Sequence, residues 1–396
     1  MWTLGIDIAK RRHRATLLDD DGQTVFRNVC VEHSREGVEE FLQRLSATDQ
    51  PADTVLVGME ATGHYWMVLY ETLVRSGYTV QVINPLVVAA RRNITIRGTK
   101  TDSADALLIA WLLRETHLKV CAIADVQVQQ LRDLTRLRFQ CAHTAKAEKA
   151  RLVSLLDLAF PEYHDHFSDV FGASSRVVLA EYPTAEQLAK VDVRRLTRLL
   201  KQASRGRFGR QQAQSLKAAA KSSFALTSRN QHLQLAIRFV VERLNLLVEQ
   251  IAQIDRQLKA FLVEQQTLLQ SIPGLGKVWA PTILAEILPV FHPQSQRGAR
   301  KFVAIAGLDV RQTDSGERTG KGKMSKRGSR YLRTAVMQAA EIAVFKSHDP
   351  LFTQVYERHM ERGKHHLVAL THVANKMLHV IFSVLKNNRP YTPILN

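Results

Sequence analysis

Residues 3–22, TLGIDIAKRRHRATLLDDDG, decide how the first third of the chain folds. Leu4, Ile6 and Ile8 alternate with Thr3, Gly5 and Asp7, so a period of two puts branched apolar side chains on one strand face and Asp7 on the other. A second strand around residues 15–18 turns at Asp20-Asp21-Gly22 and runs back through Val25, Phe26, Val29 and Val31, which predicts a hairpin meander. An acid in such a strand is costly unless it is hydrogen-bonded, wet or paired with a cation.

Working outward, Ser34 suits the N-cap of a helix whose Val38, Phe41, Leu42 and Leu45 share a face. The segment DTVLVGMEATGHY then reads as a nearly continuous apolar strand ending at Glu60. A helix through Leu69, Leu73 and Val74 stops before Gly77, and YTVQVINP reads as another central strand. Residues 1–120 are therefore expected to form an α/β domain with a mixed sheet.

From about residue 126 the pattern is helical. Leu233, Ile237, Val240, Leu244, Leu247, Ile251, Ile254, Leu258 and Phe261 keep a four-three alternation, which is a coiled-coil seam. An earlier helix through Leu131, Leu134, Leu137 and Leu156 is long enough to pair with it, in this chain or in another copy. Residues 121–268 thus read as a coiled-coil linker with a small helical insertion at about 161–227. In that insertion YPTAEQL predicts a capping box of Thr184 and Gln187, and SRGRFGR a basic turn.

Residues 269–396 form the third region. Its opening, SIPGLGKVWAPTILAEI, resembles a helix-hairpin-helix in which Gly274, Gly276 and Lys277 let backbone approach phosphate. Residues 297–333 hold eleven Lys and Arg against three acids, a net +8 of the chain's +18. A pI near 10 favours a polyanionic partner, and nucleic acid suits it better than a membrane because no lipidation signal accompanies the charge. Arg91, Arg92, Arg97 and Lys100 are further candidate backbone contacts. Cys30, Cys121 and Cys141 are odd in number and widely spaced, which argues against a disulfide framework or a zinc site and fits a reducing cytosol. Neither a secretory leader nor an uninterrupted apolar span of membrane length is evident.

Asp7 lies within the first strand, Glu60 ends the apolar strand, and KTDSADA adds Asp102 and Asp105 at i, i+3 at the start of a helix. Four carboxylates meeting at strand ends repel one another unless cations lie between them. All-oxygen donors suit Mg²⁺ or Mn²⁺, and two such ions about 4 Å apart assist in-line displacement at phosphorus.

GIDIAK, GMEATGHY and KTDSADA, followed by the helical middle, IPGLG and FVAIAGLDVRQTDSGERTGKGKMSKRGSRYLRTAV, resemble the insertion-sequence-110 family of transposases in order and spacing. The resemblance implies a RuvC-like, RNase H-fold N-terminal domain with a metal site at Asp7, Glu60, Asp102 and Asp105. It further implies a coiled-coil linker and a helical C-terminal transposase domain with a nucleophilic serine. That serine matches Ser315, with Ser325 of KMSKRG as a rival. Arg318, Lys321, Lys323, Lys326, Arg327 and Arg330 would offset phosphate charge around it. A phosphoserine-DNA intermediate, donor and target DNA, a non-coding bridge RNA, a dimer or tetramer and a cytoplasmic, nucleoid-associated setting in a bacterium follow from the same likeness. Were the coiled coil to pair subunits, acids and serine could come from different chains.

Two other readings use the same residues differently: a hydrolytic nuclease for branched DNA, with water as nucleophile, and a basic scaffold without catalysis. GIDIAK is also similar to a motif of actin-like ATPases, but no convincing second nucleotide-binding loop follows it.

Overall fold

The computed structural model describes residues 1–61, 63–92, 102–115, 126–226, 228, 230–265, 268–311, 314–315, 318–319 and 323–393, with backbone alone at 86, 102–103, 262–265, 311, 314–315, 318–319 and 323. Arg97, Lys100, Cys121 and Lys321 lie outside the described residues. The chain divides into two compact units, Met1–Ile123 and Ala124–Asn396.

The first unit opens with the meander, β1 (Trp2–Asp7), β2 (Arg12–Leu18) and β3 (Thr24–Glu32). Its first turn is built as the acids and glycine suggest: the Asp19 carboxylate accepts from the N–H groups of Asp21 and Gln23 at 3.0 and 2.8 Å, and Gly22 has φ +83°. The helix α1 (Arg35–Ser46) follows, with the Ser34 hydroxyl accepting from the Gly37 N–H. Then come β4 (Val55–Glu60), α2 (Trp66–Arg75), β5 (Thr79–Ile83), α3 (Pro85–Arg92) and α4 (Asp102–Leu112).

These strands form one mixed sheet in the order β3-β2-β1-β4-β5. The meander is antiparallel, whereas β4 runs parallel to both β1 and β5. On one face Leu4, Ile6, Ala15, Leu17, Val57 and Met59 meet Phe41 and Leu45 of α1 and Leu69 and Leu73 of α2. On the other, α4 lies against β1, and its Ile109 and Leu112 join Leu113, Ile83 and Val88 in a second, smaller core. Both faces are covered, so the polar side of β1 is buried too; Thr3 has no exposed surface.

In the second unit α5 (Val126–Ala159) runs out, α6 (Ala173–Glu181), α7 (Ala185–Lys190), α8 (Val193–Ala203) and α9 (Arg210–Lys221) form the insertion, and α10 (Asn230–Gln265) returns. Arg138 pairs with Asp255 and, further along α5, Glu148 pairs with Arg243, so α5 and α10 are antiparallel partners within one chain. The seam divides its work. Leu233, Ile237, Val240 and Leu244 enter the core shared with the insertion, while Ile254 and Leu258 enter the core of the C-terminal helices. Thr184 does precede α7, but the expected capping box does not form: its hydroxyl makes no cap bond, and with Thr184 2% exposed the side chain is turned into the insertion core.

The C-terminal region contains α11 (Trp279–Ile287), α12 (Gly298–Ala306), the short strands β6 (Val310–Arg311), β7 (Asp314–Ser315), β8 (Arg318–Thr319) and β9 (Lys323–Met324), then α13 (Arg330–Phe345), α14 (Pro350–Glu361) and α15 (His366–Asn387). Among the described residues α15 is the one helix long and apolar enough to cross a membrane. Its Val373, Ala374, Met377, Leu378 and Ile381 are instead fully buried with α13 in the largest core, as in the central helix of a bundle.

Candidate functional site

Asp7 and Glu60 are the last residues of β1 and β4. The parallel register pairs Gly5 with Gly58 and Ile6 with Met59, so the two acids come one step later on neighbouring strands. Because Leu4, Ile6, Val57 and Met59 face α1 and α2, alternation turns Asp7 and Glu60 to the other face, where α4 lies.

Two glycines let α4 lie there. A Cβ on Gly5 would stand 2.1 Å from the Ala106 carbonyl oxygen and 2.4 Å from the Ala110 nitrogen; one on Gly58 would meet the Leu113 side chain at 2.9 Å. At the far end of α4, Arg114 donates to the carbonyls of Met1 and Asp19 at 3.1 and 2.8 Å, at the start of β1 and the end of β2. The helix therefore runs antiparallel to β1, with its N-terminal turn, Asp102 and Asp105, toward the edge where Asp7 and Glu60 end. Nothing in the strand alternation showed this; the signal was a glycine at matching positions in GIDIAK and VGMEA.

Asp105 is 6% exposed and held by a bidentate ion pair. Arg92, at the end of α3, gives Nε to Oδ1 at 2.9 Å and Nη2 to Oδ2 at 2.7 Å. Arg92, expected as a nucleic-acid contact, thus has an acid of the candidate site as its partner. Arg91 pairs with Glu115 at 2.6 Å. Among the described residues no three His, Cys, Asp or Glu side chains are grouped closely enough to hold one ion, and the Asp102 side chain lies outside that description.

A histidine pair unnoticed in the sequence sits near the same strand ends, on the opposite face. His13 is fully buried; its Nδ1 accepts from the Ala9 N–H at 3.2 Å, so its proton is on Nε2, 2.9 Å from His33 Nδ1. Burial, then the neighbouring His33, lowers the His13 pKa to about 4.

In the second unit, Ser315 lies on a two-stranded ladder, its backbone paired with Arg318. Ser325 is in a tight turn between α12 and α13: its hydroxyl donates to the Asp309 carboxylate and accepts from the Arg327 N–H. Lys326 next to it has φ +51° and is exposed, as are Arg327 and Arg330. Arg333 is used internally, donating to the Ala306 carbonyl at 2.8 Å. The IPGLG turn splits the role given to its glycines. Gly274 has φ +88°, and a Cβ there would stand 2.2 Å from the Ala339 carbonyl, so it serves helix packing; around Gly276 there is open space, with Lys277 exposed beside it.

A family model described as Transposase matches residues 4–161, and another, described as Transposase IS116/IS110/IS902 family, matches residues 266–357. The chain belongs to the IS110 family of transposases. The 44.8 kDa protein of insertion element IS116 from Streptomyces clavuligerus is 26% identical to this transposase over 98% of the chain and 96% of its own length. The pilin gene-inverting protein of Moraxella bovis is 23% identical over 98% and 97%, respectively. The transposase for insertion sequence element IS1328 from Yersinia enterocolitica is 33% identical over 98 residues, 24% of this chain and 28% of its own. Transposases cut and rejoin DNA, so this chain is an enzyme with DNA as substrate.

Proposed function

We propose that this transposase cuts and rejoins DNA through Ser315, assisted by divalent ions held at Asp7, Glu60, Asp102 and Asp105. The observation that carries the reading is the common edge: two adjacent parallel strands end in acids on one face, and the antiparallel α4 brings its first turn toward them. A RuvC-like, RNase H-type identity for the first unit rests on that edge and on the mixed sheet.

The donors are all carboxylate oxygen, the type Mg²⁺ or Mn²⁺ takes, and since Asp7, Glu60 and Asp105 are not yet grouped to hold one ion, the reading requires them to draw together around it. When bound there, such an ion supplies Lewis-acid stabilisation of charge at the scissile phosphate. The protein's own steps are these. The Ser315 hydroxyl oxygen bonds to phosphorus, the bond from phosphorus to one deoxyribose oxygen breaks, the serine proton leaves to base and the departing oxygen takes a proton. The phosphodiester is conserved as phosphoserine, and a hydroxyl of a second strand reverses the exchange without ATP. A bridge RNA pairing with donor and target DNA, and a dimer or tetramer as the working form, complete the proposal.

Ser325 is a second candidate on a specific observation, since its hydroxyl already donates to a carboxylate, Asp309, able to take its proton. One experiment separates the two. Wild-type protein mixed with labelled DNA and Mg²⁺, then denatured, is expected to retain a covalent DNA label that maps to Ser315. Ser315→Ala should abolish it and Ser325→Ala should leave it. A persistent adduct in Ser315→Ala eliminates that serine, and cleavage without any adduct favours the hydrolytic nuclease. Sequencing RNA co-purified with the protein tests the guide.

A further inference from the structure

From the Arg92–Asp105 pair we infer that Arg92 is a tethered cation that occupies Asp105 until a divalent ion and a DNA phosphate arrive together. This inference rests on the metal reading of Asp105 given above.

The geometry is specific. Both Asp105 oxygens are taken, one by Nε and one by Nη2, in the parallel fork that guanidinium forms with a carboxylate. The pair is sheltered, with side chains 21% and 8% exposed, so screening by solvent is weak. A divalent ion held by Asp105 would need at least one of those oxygens, both of which the guanidinium holds. Guanidinium cannot escape this by deprotonating. It must move.

The chemistry of the guanidinium suggests its destination. Arg92 is on the last turn of α3, whose other arginine, Arg91, is paired with Glu115; Arg91 and Glu115 are roughly half exposed and weakly held. A released guanidinium at an acidic edge has one natural new partner in this reaction, a phosphate oxygen of the incoming strand, which offers the same bidentate geometry. Transfer of Arg92 to phosphate would leave both Asp105 oxygens free to hold a divalent ion. Each event removes the obstacle to the other, and linkage makes the effect reciprocal. The consequence is a safeguard: the chain alone binds metal poorly and is poised to do so only with DNA.

The test measures Mn²⁺ binding to the full-length protein without nucleic acid, by the spectroscopic signal of free Mn²⁺. Arg92→Gln is expected to bind Mn²⁺ about tenfold more tightly than wild type, equivalent to about 1.4 kcal/mol. Arg92→Lys, a flexible point charge without the fork, should fall between them. Asp105→Asn alone should change binding little, since Arg92 already takes that carboxylate, and should cancel the gain in the double variant. Unchanged or weaker binding in Arg92→Gln, or in Arg92→Lys should the glutamine variant fail to fold, overturns the inference while leaving the metal reading intact. A gain in Arg92→Gln that survives the added Asp105→Asn change overturns both.

Discussion

Gly5 of β1 lies directly beneath Ala106 of α4, so close that a methyl group on Gly5 would stand 2.1 Å from the Ala106 carbonyl oxygen. Backbone cannot yield as a side chain can. Gly5→Ala should therefore lift α4, destabilise the first unit by about 3 kcal/mol, the upper end of overpacking, and separate Asp105 from the edge formed by Asp7 and Glu60. Gly58→Ala meets the Leu113 side chain first, at 2.9 Å, rather than backbone, and should cost less. Denaturant unfolding and DNA cleavage of the two variants should rank them in that order; equal, near-zero effects would contradict the close packing.

His13 gives the first unit a pH dependence. In the folded chain burial and His33 hold its pKa at about 4, against 6.5 for the unperturbed group. As pH falls the unfolded chain takes up this proton first, so the stability His13 contributes is whole above about 6.5 and is lost progressively toward about 4. Thermal unfolding of His13→Gln should thus show a flatter slope than wild type across that window. Parallel curves would show that the pair does not titrate in this way.

The two glycines of IPGLG should separate on mutation. Gly274→Ala forces a side chain into φ +88° and against the Ala339 carbonyl, and should destabilise the second unit by about 2–3 kcal/mol. Gly276→Ala has open space and should leave stability within about 0.5 kcal/mol. If Gly276 approaches phosphate, its variant instead weakens DNA binding, read by anisotropy; a fully bound, stable Gly276→Ala protein would remove that role.

Much of this was legible in the residues because it depends on local rules. The alternation of Leu4, Ile6 and Ile8 predicted β1, Ser34 announced α1, and the seam from Leu233 to Leu258 predicted α10. What could not be read was set by tertiary packing. The seam had no label for its partner, which is α5 of the same chain. Thr184 and Gln187 had capping-box spacing, but a core-facing threonine does not turn back to cap its helix. Arg92 looked like a surface charge for nucleic acid, and only the placement of α3 beside α4 shows its carboxylate partner. Gly5 and Gly58 looked like plain strand residues until the helix above them was seen.

The central claim is that Asp7, Glu60, Asp102 and Asp105 act as one ion-holding set for strand cleavage. The most direct measurement is single-turnover cleavage of DNA across a Mg²⁺ titration by Asp7→Asn, Glu60→Gln, Asp102→Asn and Asp105→Asn, with DNA binding measured in parallel. The account predicts that each variant still binds DNA but cleaves at least about a hundredfold more slowly, a loss comparable to removing one strong electrostatic contact to a transition state. Cleavage at the wild-type rate by any of the four variants, at any Mg²⁺ concentration, would contradict it.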